Sequence, residues 1–289
     1  MKFKSWQADL SLLFVAAIWG STFVIVKQAT TDMPPFTFLS IRFGIAAITL
    51  FLLKPKFATW KNKQLWKKGI FIGIFLFFGY AFQTFGLQYT SAAKTGFITG
   101  LYVIIVPLIV AIADKKLPTK LTFLGIILAT FGLGLLSLEG FSISHGDLLV
   151  LICSFAFAIH IYSIDQLGGN EDTIAITTIQ LLTVSVLSFI GASLFEPIAS
   201  ISWSRNVYLG LALTAIPATS IAFLLQNKFQ KYTTPTHTAL IFASEPVFSY
   251  IFAFILVGEV LTTKYTIGAI LILSGILLSE LKLKKRESI

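Results

Sequence analysis

Residues 95–113 read TGFITGLYVIIVPLIVAIA, nineteen positions without a charged side chain. At about 1.5 Å of rise per residue, roughly twenty apolar residues carry a helix across a hydrocarbon core about 30 Å thick. The stretch is predicted to be a membrane span, beginning near residue 91. Apolar runs of similar length repeat on either side of it, punctuated by charges, Gly and Pro. They fall near 9–29, 35–53, 68–88, 91–113 and 120–138, then 147–166, 173–195, 206–228, 234–257 and 264–283. Ten spans nearly exhaust the 289 residues, so an all-α integral membrane protein is expected, with no room for a soluble domain.

Composition agrees. Apolar types make up 56% of the chain and charged types 12%, against roughly 25% charged in soluble domains, and mean hydropathy is +0.85. The net charge of +9 does not point to nucleic acid, because the basic residues sit in short connectors rather than on one helical face. Their partner is the lipid bilayer. With ten spans, the side holding both termini carries 17 Lys and Arg, the other side 4, and Arg42 lies within a span. The positive-inside rule then places both termini in the cytoplasm. Lys2 and Lys4 before an apolar run imitate a signal peptide, but no small-residue cleavage site follows, so the segment is read as an uncleaved first helix.

The chain also resembles itself. At an offset of 138, Asp9-Leu10 matches Asp147-Leu148 and Arg42 falls over Gln180. At 143, Tyr89-Thr90 matches Tyr232-Thr233, and Gly125 and Gly132 match Gly268 and Gly275. Five spans separate the copies, and five is odd, so equivalent helices must cross in opposite directions. Two inverted five-helix repeats are predicted, 1–142 and 143–289, an architecture recurrent among secondary transporters.

An ionisable group in mid-span costs about 2.5 to 3.5 kcal/mol on insertion scales and needs a reason. Glu245 in Ala243-Ser244-Glu245-Pro246 and Arg42 in the second span are the two clear cases. Two readings stand, a substrate or proton-coupling site and a structural ion pair joining the halves. Pro246 frees the Phe242 carbonyl beside that acid, and Pro107 and Pro217 are candidates for similar helix breaks. Trp19, Gln83, Tyr102, His160 and Gln180 are candidate cavity-lining groups, although each type also packs or bonds between helices. The small-residue spacings at Gly69 and Gly73, and at Ala92, Gly96 and Gly100, predict close helix packing, with a homodimer face as the second reading.

Enzyme chemistry finds little support. His145, His160 and His237 form no HExxH pattern, no Walker-type loop is present, and Cys153 is a single cysteine, so no metal site, cofactor or disulfide is predicted. A channel or a non-transporting scaffold stays open as the alternative to a transporter.

Trp19-Gly20-Ser21-Thr22-Phe23, Arg42, Tyr89-Thr90-Ser91-Ala92, and Glu245-Pro246 followed by Gly258-Glu259 carry a resemblance over nearly the whole chain. With the repeat, the sequence resembles the bacterial drug/metabolite transporter superfamily, specifically its EamA type with ten helices in two inverted halves. The resemblance implies a multi-pass protein of the bacterial cytoplasmic membrane. It also implies export or exchange of a small metabolite, often amino-acid-like, through a cavity between the halves. The chain departs from symmetry at Tyr102, the counterpart of Glu245 at offset 143, and at Asp114-Lys115, which stands within one residue of the place where the second half has Gly258-Glu259. A cavity whose acid comes from one half only is therefore expected.

Overall fold

The computed structural model describes residues 5–53, 60–137, 144–169, 171–197, 201–257 and 263–280. Among these, all regular secondary structure is helical. In chain order the helices are α1 (Ser5–Gly20), α2 (Phe23–Asp32), α3 (Pro35–Leu52), α4 (Lys63–Tyr89), α5 (Ala92–Gly100), α6 (Tyr102–Ala113) and α7 (Lys120–Ser137). They continue with α8 (His145–Gly168), α9 (Thr173–Phe195), α10 (Arg205–Ala215), α11 (Ala222–Phe229), α12 (Pro235–Phe242), α13 (Glu245–Val257) and α14 (Thr263–Glu280). A π-helical turn, Ile216–Ile221, joins α10 to α11. Seven of the resulting stretches are long and apolar enough to cross a membrane, and two shorter apolar helices lie at Lys120–Leu136 and Thr263–Ser279. Gly258-Glu259, which carried part of the family resemblance, and the terminal lysines of the charge count lie outside the described residues.

Helix starts follow from the polar residues between the apolar runs. Asn62, Ser144, Asp172, Ser204 and Thr234 each cap the following helix by accepting a backbone N–H of its first turn. Pro35 and Pro235 occupy first turns, where the missing N–H has no partner to lose.

Packing uses the glycines. α4 lies against both α8 and α9, α3 against α9, and α7 against α14. Gly69 and Gly73 bring α4 onto Ile179 and the Gln180 backbone, and Gly100 receives Leu133. The small-residue spacings thus serve contacts within the chain. In the α7–α14 pair a Cβ on Gly125 would stand 2.5 Å from the Gly275 carbonyl oxygen, and one on Gly132 the same distance from the Gly268 oxygen. The helices are therefore antiparallel and in backbone contact. Gly132→Leu is expected to force them apart and cost about 1–3 kcal/mol by overpacking. Thermal unfolding in detergent checks this, with Phe131→Leu, 68% exposed, as the unchanged control.

Candidate functional site

Four interruptions converge on one region. Ser21 and Thr22 separate α1 from α2, Leu101 separates α5 from α6, Ala243 and Ser244 separate α12 from α13, and the π turn divides the apolar stretch Arg205–Tyr232. The fourth span does not break at Pro107. α6 runs through that residue, and the interruption comes at Leu101, where the Leu101 N–H turns back to the Ile98 carbonyl. A bundle absorbs one lost hydrogen bond within a packed helix without breaking it. Pro246 instead sits at the second position of α13, just after the Ala243–Ser244 turn. Pro217 lies in the π turn, whose wide spacing is closed by side chains. There the Thr219 and Ser220 hydroxyls donate to the carbonyls of Thr214 and Ala215, at 2.8 and 3.2 Å.

Around the breaks is a cavity of about 50 Å³, room for roughly four waters. Glu245, Arg42, Trp19, Tyr102, His160 and Gln83 all line it. Gln180 does not. It stands behind His160, whose Nε2 is 3.4 Å from its carbonyl oxygen, and its amide donates to Asn227 Oδ1 at 2.9 Å.

Glu245 is the first residue of α13 and Tyr102 the first residue of α6, so the two counterparts at offset 143 occupy the same place in two broken spans. Their side chains meet, with the Tyr102 hydroxyl at the Glu245 carboxyl. Gly20, the last residue of α1, touches the Glu245 carbonyl oxygen and holds α13 against α1. Any side chain there would push this wall of the cavity away.

Arg42 is 2% exposed. Its Nε–H donates to Thr219 Oγ1 at 2.8 Å, and its guanidinium carbon lies 5.0 Å from the Tyr80 ring centroid and 5.4 Å from that of Phe43. These aromatic faces offset part of the desolvation of the cation. Among the described residues no ion pair joins Arg42 to Glu245. A cation and an acid thus share a small cavity without bonding to each other.

Trp19 fixes the π turn to this cavity, its Nε1–H donating to the Ala218 carbonyl at 2.8 Å. Its ring packs on Phe223 and Phe242, with centroids 5.2 and 5.0 Å away. Trp19→Phe keeps most of that packing but removes the hydrogen bond, so a loss of about 1 kcal/mol is expected in detergent unfolding.

Sequence reasoning missed Tyr80, Thr84, Thr99, Gln226 and the aromatic wall of Phe157, Phe223 and Phe242. Tyr80, Gln83, Thr84 and Leu87 follow the i, i+3, i+4, i+7 rhythm of one helix face, a signal present in the sequence. The phenylalanines carry none, since 28 are spread through the spans.

Regular secondary structure that is all helical among the described residues, with several stretches long and apolar enough to cross a membrane and broken helices that enclose buried ionisable groups, defines the class: a multi-pass membrane protein with a polar internal cavity. The chain belongs to the EamA-like transporter family, which matches residues 6–138 and again 144–281. It is 38% identical to an uncharacterized transporter of Archaeoglobus fulgidus, over 96% of this chain and 87% of that protein. It is 25% identical to the uncharacterized transporter YoaV of Bacillus subtilis, over 96% and 98%. A solved crystal structure sharing 20% identity superposes with a TM-score of 0.80, covering 98% of this chain and 99% of the other, a likeness of fold.

Proposed function

We propose that the protein is a secondary transporter that exports or exchanges a small zwitterionic, amino-acid-like metabolite across the cytoplasmic membrane. Ten spans in two inverted halves, 1–142 and 143–289, alternate access to the cavity, and both termini are cytoplasmic. The observation that carries this reading is that two ionisable side chains, Glu245 and Arg42, line one cavity built at helix breaks without bonding to each other. Glu245 takes the substrate ammonium and Arg42 its carboxylate, so each buried charge gains a partner on loading. Family membership supports a transport role. The reciprocal contacts of Gly125 with Gly275 and Gly132 with Gly268 support the inversion, because each glycine meets the counterpart of the other, as a two-fold axis between α7 and α14 requires.

The test has two stages. A thermal-shift screen of amino acids and related zwitterions selects ligands, since one that binds only the folded form raises the melting temperature. Liposomes loaded with the best ligand are then expected to show saturable counterflow of labelled solute. Flux without saturation or counterflow overturns the reading in favour of a channel, and no flux at all in favour of a scaffold.

A further inference from the structure

The two ends of the bundle carry matching carboxylate clusters. At one end Asp147, on α8, accepts from the Thr90 hydroxyl at 2.6 Å and from Lys94 Nζ, on α5, at 2.9 Å. The repeat offsets carry Asp147 to Asp9, Thr90 to Thr233 and Lys94 to His237. Asp9, on α1, does lie beside His237, on α12, with Oδ1 and Nε2 3.3 Å apart. The same constellation therefore occurs twice, once on each side of the cavity, with histidine in place of lysine.

The two differ in how far they are satisfied. Both Asp9 oxygens, His237 Nε2 and the Thr233 hydroxyl are buried without a hydrogen bond, whereas Asp147 has its full set. His237 is 2% exposed and its Nδ1 lies 3.1 Å from the Ser279 hydroxyl, on α14. Buried polar atoms without partners are costly, and one added proton would give His237 an Nε2–H for Asp9 while Nδ1 stays with Ser279. A protonated imidazole is a donor at both nitrogens, whereas a neutral one has a single N–H.

We propose that Asp9 and His237 form a proton-binding site at the cytoplasmic end of the cavity. It is the titratable counterpart of the permanent Asp147–Lys94 pair at the opposite end. The inner and outer assignment rests on the topology proposed above. His237 takes a proton from cytoplasmic water, donates through Nδ1 to Ser279 and through Nε2 to Asp9, and draws α1 onto α12 and α14. Uptake closes the inner end and release frees it. Histidine suits this role because its charge changes within the physiological pH range, whereas that of lysine does not.

Among the described residues, the other ionisable groups on the neighbouring elements have contacts of their own or are exposed. On α11 and the turn Gln230–Tyr232, Lys228 and Lys231 lie over the rings of Phe229 and Tyr232. After α6, Asp114 accepts the Tyr162 hydroxyl of α8, and Asp165 of α8 accepts from Gln166. His160 of α8 stands beside Gln180, Glu245 of α13 beside Tyr102, and Lys120 of α7 is exposed.

The test reads distance and needs no substrate. Spin labels at Leu10→Cys on α1 and Leu277→Cys on α14, both outward-facing, are placed in a Cys153→Ser background in lipid nanodiscs. Between about pH 8 and 5 the ratio of short to long separations is expected to rise as pH falls, by up to about tenfold per pH unit, the limit for one proton. His237→Gln and Asp9→Asn are expected to abolish the pH response, and His237→Lys to hold the short separation at both extremes. A flat profile in the protein with His237 and Asp9 intact overturns the proposal. So does a response that survives in His237→Gln. Saturable counterflow alongside a flat profile would reject this site alone, whereas absence of counterflow would reject the transport reading.

Discussion

Glu245→Gln protein in liposomes is expected to lose counterflow of the preferred zwitterion by about 10- to 100-fold while unfolding in detergent at nearly the same temperature as the parent. The carboxyl lines the cavity and, among the described residues, forms no ion pair, so it is available to a cationic group of a substrate. A hydrogen bond to a charged group contributes about 1.5–3 kcal/mol, which sets the scale of the loss. Glutamine keeps the shape and can still accept from the Tyr102 hydroxyl, so the wall of the cavity should hold. Glu245→Asp, which keeps the charge one methylene further back, should recover part of the rate. An unchanged rate with an unchanged pH dependence in Glu245→Gln would remove the acid from both substrate binding and proton coupling.

Arg42→Leu is expected to abolish counterflow yet leave the protein as stable as before, or more so. Replacing a buried ion by an apolar side chain of similar bulk is often neutral or stabilising, because the cost of desolvating the charge disappears. A cation that binds solute should show that combination. A structural pair with Glu245 would show the opposite, since removing one partner of a buried pair costs about 3–5 kcal/mol. Arg42→Lys should still lose about tenfold in rate. An ammonium on a flexible stem cannot bond Thr219 through Nε while directing the rest of a planar fork into the cavity. Detergent unfolding and counterflow measured on the same preparations separate the two outcomes.

Most helix positions were readable because the bilayer imposes a single rule, a sustained apolar run between polar interruptions. The stretch 173–195 is a helix over the same residues, and 91–113 begins one residue later in the structure. The breaks were less readable. Proline marked the π turn and the start of α13, but Leu101, with no unusual chemistry of its own, is where the fourth span turns. That turn depends on how α5 and α6 pack on their neighbours, with Gly100 against Leu133.

The candidate site divides in the same way. Buried charges are costly wherever they occur, so Glu245 and Arg42 stood out among apolar residues before any contact was known. The sequence by itself determined the helical membrane class and the residues whose burial needs a reason. Only the tertiary structure decided which of them meet. It set Gln180 behind His160, brought the Phe223 ring to the cavity, and left Arg42 and Glu245 in one space without a bond. Hydropathy is a property of each segment alone, whereas a cavity belongs to segments far apart in the chain, and their packing sets which faces close on one another.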